Sequence, residues 1–123
     1  MPATETVQGA MTIPAGATTT QTGADITNPA ARGVKVVVVS TVIGTGSITL
    51  TIQGKDPASG TYYTILAGAA IVTNTTNVYT VYPGLTPAAN VTASDVLPQT
   101  WRLLVTANNA NAATYSVGFS TLV

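Results

Sequence analysis

The chain contains no cysteine and no histidine, and only four basic and four acidic residues in 123. Without cysteine there is no disulfide framework, no thiolate nucleophile and no cysteine-based zinc site. The compartment stays open, because proteins on either side of a membrane can lack cysteine. With histidine missing too, the usual pairs of a nucleophile and its imidazole base cannot be assembled. A net charge of zero gives no electrostatic hold on a phosphate backbone, so nucleic acid is not an expected partner. No stretch approaches the ~18 consecutive apolar residues of a membrane helix. The start, MPATETVQGAMTIPAG, has neither the basic nor the apolar region of a secretory signal. No membrane partner is expected.

The few charged residues are also badly placed for chemistry. Glu5, Asp25, Asp56 and Asp95 are isolated among turn residues, where capping a bend accounts for each. They form neither the paired carboxylates of a glycosidase nor the oxygen cluster of a calcium site. Lys35 lies in a strand and Lys55 beside a turn, with no nucleophile motif near either. The expectation is no catalytic residue, no metal ligand and no cofactor. Asn74-Thr75-Thr76 and Asn90-Val91-Thr92 match the glycosylation acceptor pattern, but threonine is so common here that chance matches are expected, and both read as turns.

What is present points to β structure. Apolar residues make up 46 % and charged residues 7 %, against about 25 % charged in an ordinary domain. Threonine, 24 of the 123 residues, covers much of the remaining surface and favours strands. A neutral, hydroxyl-rich surface lacks self-repulsion and is easily desolvated, which favours an assembly subunit over a monomer with polar loops.

Ser47–Leu66 organises the chain. Ile48, Leu50 and Ile52 alternate with Thr49, Thr51 and Gln53, so this arm buries one face. Asp56-Pro57-Ala58-Ser59-Gly60 makes the turn, and Thr61–Leu66 is the return arm. Before it, Gly33 opens a strand that is apolar on both faces, with Val34, Val36 and Val38 on one and Val37 and Val39 on the other. Such a strand belongs in the middle of a sheet. Further strands are expected at Ile71–Thr73, Val78–Tyr82, Trp101–Thr106 and Tyr115–Phe119. Asn74–Asn77 and Pro83-Gly84 read as turns, and Leu85–Thr100 as a crossing between sheets. Trp101, Leu103 and Val105 alternate inward, which makes Trp101 the core anchor. Tyr62, Tyr63, Tyr79 and Tyr82 could form a sugar-stacking platform, but neighbouring tyrosines on a strand point to opposite faces. The fold class is all-β: a single antiparallel β-sandwich of seven to eight strands, jelly-roll or Ig-like Greek key. Residues 1–32 carry Pro2, Pro14 and Pro29 and no sustained period, and read as an extended N-terminal arm. A run at Thr18–Gln21 is a candidate edge strand. The sandwich domain is expected at 33–123, folding without the arm. Val7, Met11 and Ile13 are the arm residues expected to contact a partner surface or a neighbouring copy.

Gly54–Gly68 (GKDPASGTYYTILAG), Val81–Leu85 (VYPGL) and Val96–Arg102 (VLPQTWR) resemble the capsid decoration, or cement, proteins of tailed bacteriophages. The likeness covers most of the body and little of the arm. It implies a virion protein that binds the outer surface of the capsid, assembles as a homotrimer, and reinforces contacts between subunits of the major capsid protein. It also implies a passage through the host cytoplasm during assembly. A tail or head-to-tail connector protein is the related alternative, and a carbohydrate- or host-surface-binding sandwich the alternative from another class.

Overall fold

The computed structural model describes residues 8–13, 21–28, 30–42, 46–107 and 113–122. Among these there is no helix. The strands are β1 (Gln8–Ile13), β2 (Gln21–Thr22), β3 (Ile26–Thr27), β4 (Gly33–Val42), β5 (Ile48–Lys55), β6 (Tyr62–Ala67), β7 (Thr76–Val81), β8 (Thr92–Ala93), β9 (Thr100–Ala107) and β10 (Thr114–Leu122). One sheet has the order β1-β10-β4-β7-β8. The other has the order β2-β9-β5-β6, with β3 also on β9. All pairs are antiparallel except β7 with β8, which is parallel.

Counting β2 and β3 as one interrupted strand and setting aside short β8, the described residues form eight strands in two sheets of four. Apart from the β5–β6 hairpin, each connection between these eight passes from one sheet to the other. That connectivity is a jelly roll, which separates the two sandwich topologies expected from the sequence.

The alternation in β5 is now a burial pattern: Ile48, Leu50 and Ile52 are buried, and the residues between them are partly exposed. β4 lies between β10 and β7, so its edges are satisfied. Its Val34, Val36 and Val38 share one continuous core with Val81 and Val117 of the same sheet and with Leu103 and Val105 of the other. Each such side chain contributes about 1.5–3 kcal/mol on burial. In the β5–β6 turn, Asp56 accepts hydrogen bonds from the Ala58 amide, the Ser59 amide and the Ser59 hydroxyl. Gly60 closes it at φ +78, a conformation that a side chain would strain.

Several expectations are corrected. The described parts of residues 1–32 are no separate arm. Gln8–Ile13 pairs along β10 from Ser120 to Tyr115, and β2 and β3 pair with β9. Sheet pairing is made by main-chain groups, so a segment poor in apolar side chains can still supply edge strands. Of the Thr18–Gln21 run, only Gln21 is described, and it belongs to β2. Ile71 makes only an isolated bridge to Ile48, and Thr76 and Asn77 open β7 rather than ending a turn. The crossing from Leu85 to Thr100 connects the two sheets and carries β8 on the way.

Two buried polar side chains fix the loops. Ser40 donates to the carbonyls of Thr73 and Thr75 and accepts from the Thr75 amide. Asn28 donates to the carbonyls of Ala31, Leu97 and Pro98 and accepts from the Ala31 amide, while its own amide donates to Gln99. Asn28→Ala would strand these groups and is expected to cost about 1–3 kcal/mol. Trp101, with no exposed surface, is expected to cost about 3–5 kcal/mol on replacement by Ala. Urea titrations of both variants check this, and a Trp101→Ala protein with the parent's midpoint would contradict the packing.

Candidate functional site

The most chemically dense region lies on the outer face of the second sheet. The register sets Gln53 opposite both Arg102 and Thr64, and Lys55 opposite Tyr62, so Gln53, Lys55, Tyr62 and Arg102 share one face. The loop between β2 and β3 brings Asp25 to them. Tyr62 donates its hydroxyl to Asp25 Oδ1 at 2.7 Å, and Lys55 Nζ lies 3.1 Å from Asp25 Oδ2. The Arg102 guanidinium lies 3.4 Å over the Tyr62 ring, and its Nε donates to Gln53 Oε1 at 2.9 Å.

The Tyr62 hydroxyl, and after it Lys55, hold the Asp25 carboxyl below its ordinary value. Asp25 in turn raises Lys55. Both shifts favour the charged forms, a carboxylate beside an ammonium. The cluster clasps the β5–β6 hairpin to the segment before β3. The sequence reading of Asp25 as an isolated turn residue is therefore corrected: its partners lie 30 and 37 positions away. Alternation placed Lys55, Tyr62 and Arg102 on strands, but only the register puts them on one face.

The other described acidic residues bond locally. Asp56 serves its own turn, which lowers its carboxyl through the Ser59 hydroxyl first, and Asp95 accepts from the Val96 amide. Glu5 lies outside the described residues. Among the described residues no three acidic side chains gather as a metal site would need.

Trp101 packs edge-on against Phe119, with ring centroids 5.0 Å apart and planes at 83°. Val7 lies outside the described residues. Met11 and Ile13 are in β1, where the register sets their backbone opposite Val117 and Tyr115. A four-tyrosine platform does not form: Tyr79 is buried, and one face of Tyr62 is covered by Arg102. Tyr82 follows the end of β7, beside Gly33. Tyr63 alone stands out, 46 % exposed. It borders a cleft of about 350 Å³ between the Asp56-Pro57 turn and Pro98-Gln99-Thr100. Gly54 makes its position possible, since a Cβ there would lie 2.5 Å from Tyr63 Cζ and 2.8 Å from Pro98 Cγ.

Because the folded-state value of Asp25 is lowered, its stabilising contribution is present above the ordinary 3.8 and is lost as pH falls through the lowered value. Carbon-detected NMR titration is expected to find Asp25 more acidic than an ordinary aspartate, and Tyr62→Phe to move it back up. An Asp25 titration indifferent to Tyr62→Phe would contradict the clasp.

No protein-family model matches the chain, and no curated protein is similar to it. Among solved structures it is similar to the crystal structure of the Yersinia pseudotuberculosis-derived mitogen. The TM-score is 0.51 at 13 % identity, over 97 % of this chain and 86 % of that one. At that identity the likeness shows a shared β-rich fold and carries no function across.

Proposed function

We propose that this chain is a non-enzymatic virion structural protein, a capsid decoration protein of a tailed bacteriophage. In this reading it binds the outer capsid surface and stabilises contacts between major capsid protein subunits. The observation that carries the reading is the outer face of the first sheet. There the register aligns Ser116, Val39 and Thr76 in one row, Gly118, Val37 and Val78 in the next, and Ser120, Lys35 and Thr80 in a third. Of these nine residues only Lys35 is charged. Val78 is exposed, and Val37 and Val39 are partly so. A broad, pleated surface of hydroxyls, small residues and valines loses little on dehydration, and interface cores are depleted of charge in the same way.

Jelly rolls recur in viral capsid proteins, which supports the same reading by analogy of fold. Self-association as a homotrimer belongs to this proposal as well. Val78 and Val91 border a notch of about 200 Å³ with Ala69, Ala70 and Ala89, and Val72, nearby in the chain, is 59 % exposed. Neighbouring copies on a capsid lattice would cover such an apolar rim.

Val78→Lys is expected to fold with a stability within about 1 kcal/mol of the parent. Its occupancy on purified phage heads should fall at least about tenfold, because the contact would have to desolvate an unpaired ammonium. Cryo-electron microscopy of particles measures both location and occupancy. Even coverage of the head by the parent protein is the expected result, and a position confined to the tail tip, or full occupancy by the variant, would overturn the proposal.

A further inference from the structure

We propose that the cleft beside Tyr63 is a binding site for a neutral carbohydrate, one to two pyranose units in size. The argument begins with Gly54, which interrupts an otherwise well-filled strand. Glycine weakens a strand interior, yet here any side chain would collide with the phenol end of Tyr63 and with Pro98. The vacant Cβ position lets the Tyr63 ring lie across β5 while 46 % of the residue remains exposed. An aromatic ring held on a rigid strand, half open to solvent, is a stacking surface with little ordering entropy left to lose.

The polar surroundings decide which ligand suits it. Lys55 and Asp56 line the cleft, but their charges are committed, Lys55 to Asp25 and Asp56 to its own turn. Gln99 and Thr100 line it too, and neither side chain has a hydrogen-bond partner among the described residues. They offer an amide and a hydroxyl, able to donate and accept without charge. An apolar ring face beside neutral donors and acceptors matches a sugar, whose C–H face is apolar and whose rim carries hydroxyls. Pro57 and Pro98 close the two sides. Asn28 holds the far wall, through the carbonyls of Leu97 and Pro98 and the backbone of Gln99. At about 350 Å³ the cleft stands at the small end of ligand sites. A proline-rich peptide, the other class that aromatic clefts accept, wants an extended groove with several aromatic rings, and this cleft has one.

The inference does not rest on the virion reading, since a sugar site could serve the chain on a particle or off it. Saturation-transfer NMR on the full-length protein tests it, with methyl glucoside, methyl galactoside, methyl mannoside and N-acetylglucosamine as probes, and a polyproline peptide as competitor. Transfer to at least one sugar is expected, with a dissociation constant on the order of millimolar for so small a ligand. Tyr63→Ala should weaken binding at least about tenfold. Gln99→Ala, an exposed change that leaves the ring in place, should weaken it severalfold. Tyr82→Ala, just past the end of β7, should leave it unchanged. Absence of transfer to every sugar, undiminished binding by both Tyr63→Ala and Gln99→Ala, or displacement of the sugar by the peptide at lower concentration would overturn the proposal.

Discussion

The sandwich depends on β9 and β10 being hydrogen-bonded along both edges. They follow one another in sequence, lie in opposite sheets, and carry Trp101, Leu103, Val105, Tyr115 and Val117 into the core. Each has one partner from the middle of the chain, β5 for β9 and β4 for β10. The other partners, β2 with β3 and β1, come from before Gly33. Without them, two strands that carry much of the core would present unpaired edges with almost no charge to protect them. A segment with few apolar residues therefore belongs to the fold through its backbone.

The second constraint is local and links core to surface. Trp101, the largest fully buried side chain, is paired across the ladder with Gly54 on one side and Ile26 on the other. Its indole Nε1 is buried without a hydrogen-bond partner among the described residues, a cost of about 1–3 kcal/mol that the surrounding packing must exceed. Gly54 lies beside this bulky residue and beneath Tyr63, so one missing side chain accommodates both the filled end of the core and the half-exposed ring of the cleft. The clasp of Asp25, Lys55, Tyr62 and Arg102 lies on the opposite face of the same strands and holds the hairpin that carries Tyr63.

Much of this was legible in the sequence where side-chain alternation reports burial directly. The one-sided β5, the central place of β4 in its sheet, the inward Trp101 and the Asp56–Gly60 turn all follow from period-two patterning and turn chemistry. What could not be read was pairing by main chain alone. Gln8–Ile13 has no period that marks it as a strand, and its place on β10 is fixed by hydrogen bonds that every residue except proline can donate and accept. The same limit hid the Asp25 cluster and the Tyr63 cleft. Gln53 faces Arg102 from 49 positions away, and Gly54 faces Tyr63 across a hairpin whose register shifts between Ile52 and Gln53; neither register leaves a mark on the residues themselves. The tyrosines were visible as a group, but which of them keeps an open face depended on Arg102 and Gly54.

Thermal denaturation of a chain beginning at Gly33, set against the full-length protein, tests the central claim most directly. If β1, β2 and β3 are integral strands of the jelly roll, the shortened chain loses its cooperative transition or melts far below the parent, and the amides of β9 and β10 lose their protection from hydrogen exchange first. A shortened chain that melts as the parent does, with those amides still protected, would show that the sandwich closes without its first three strands and would contradict the account.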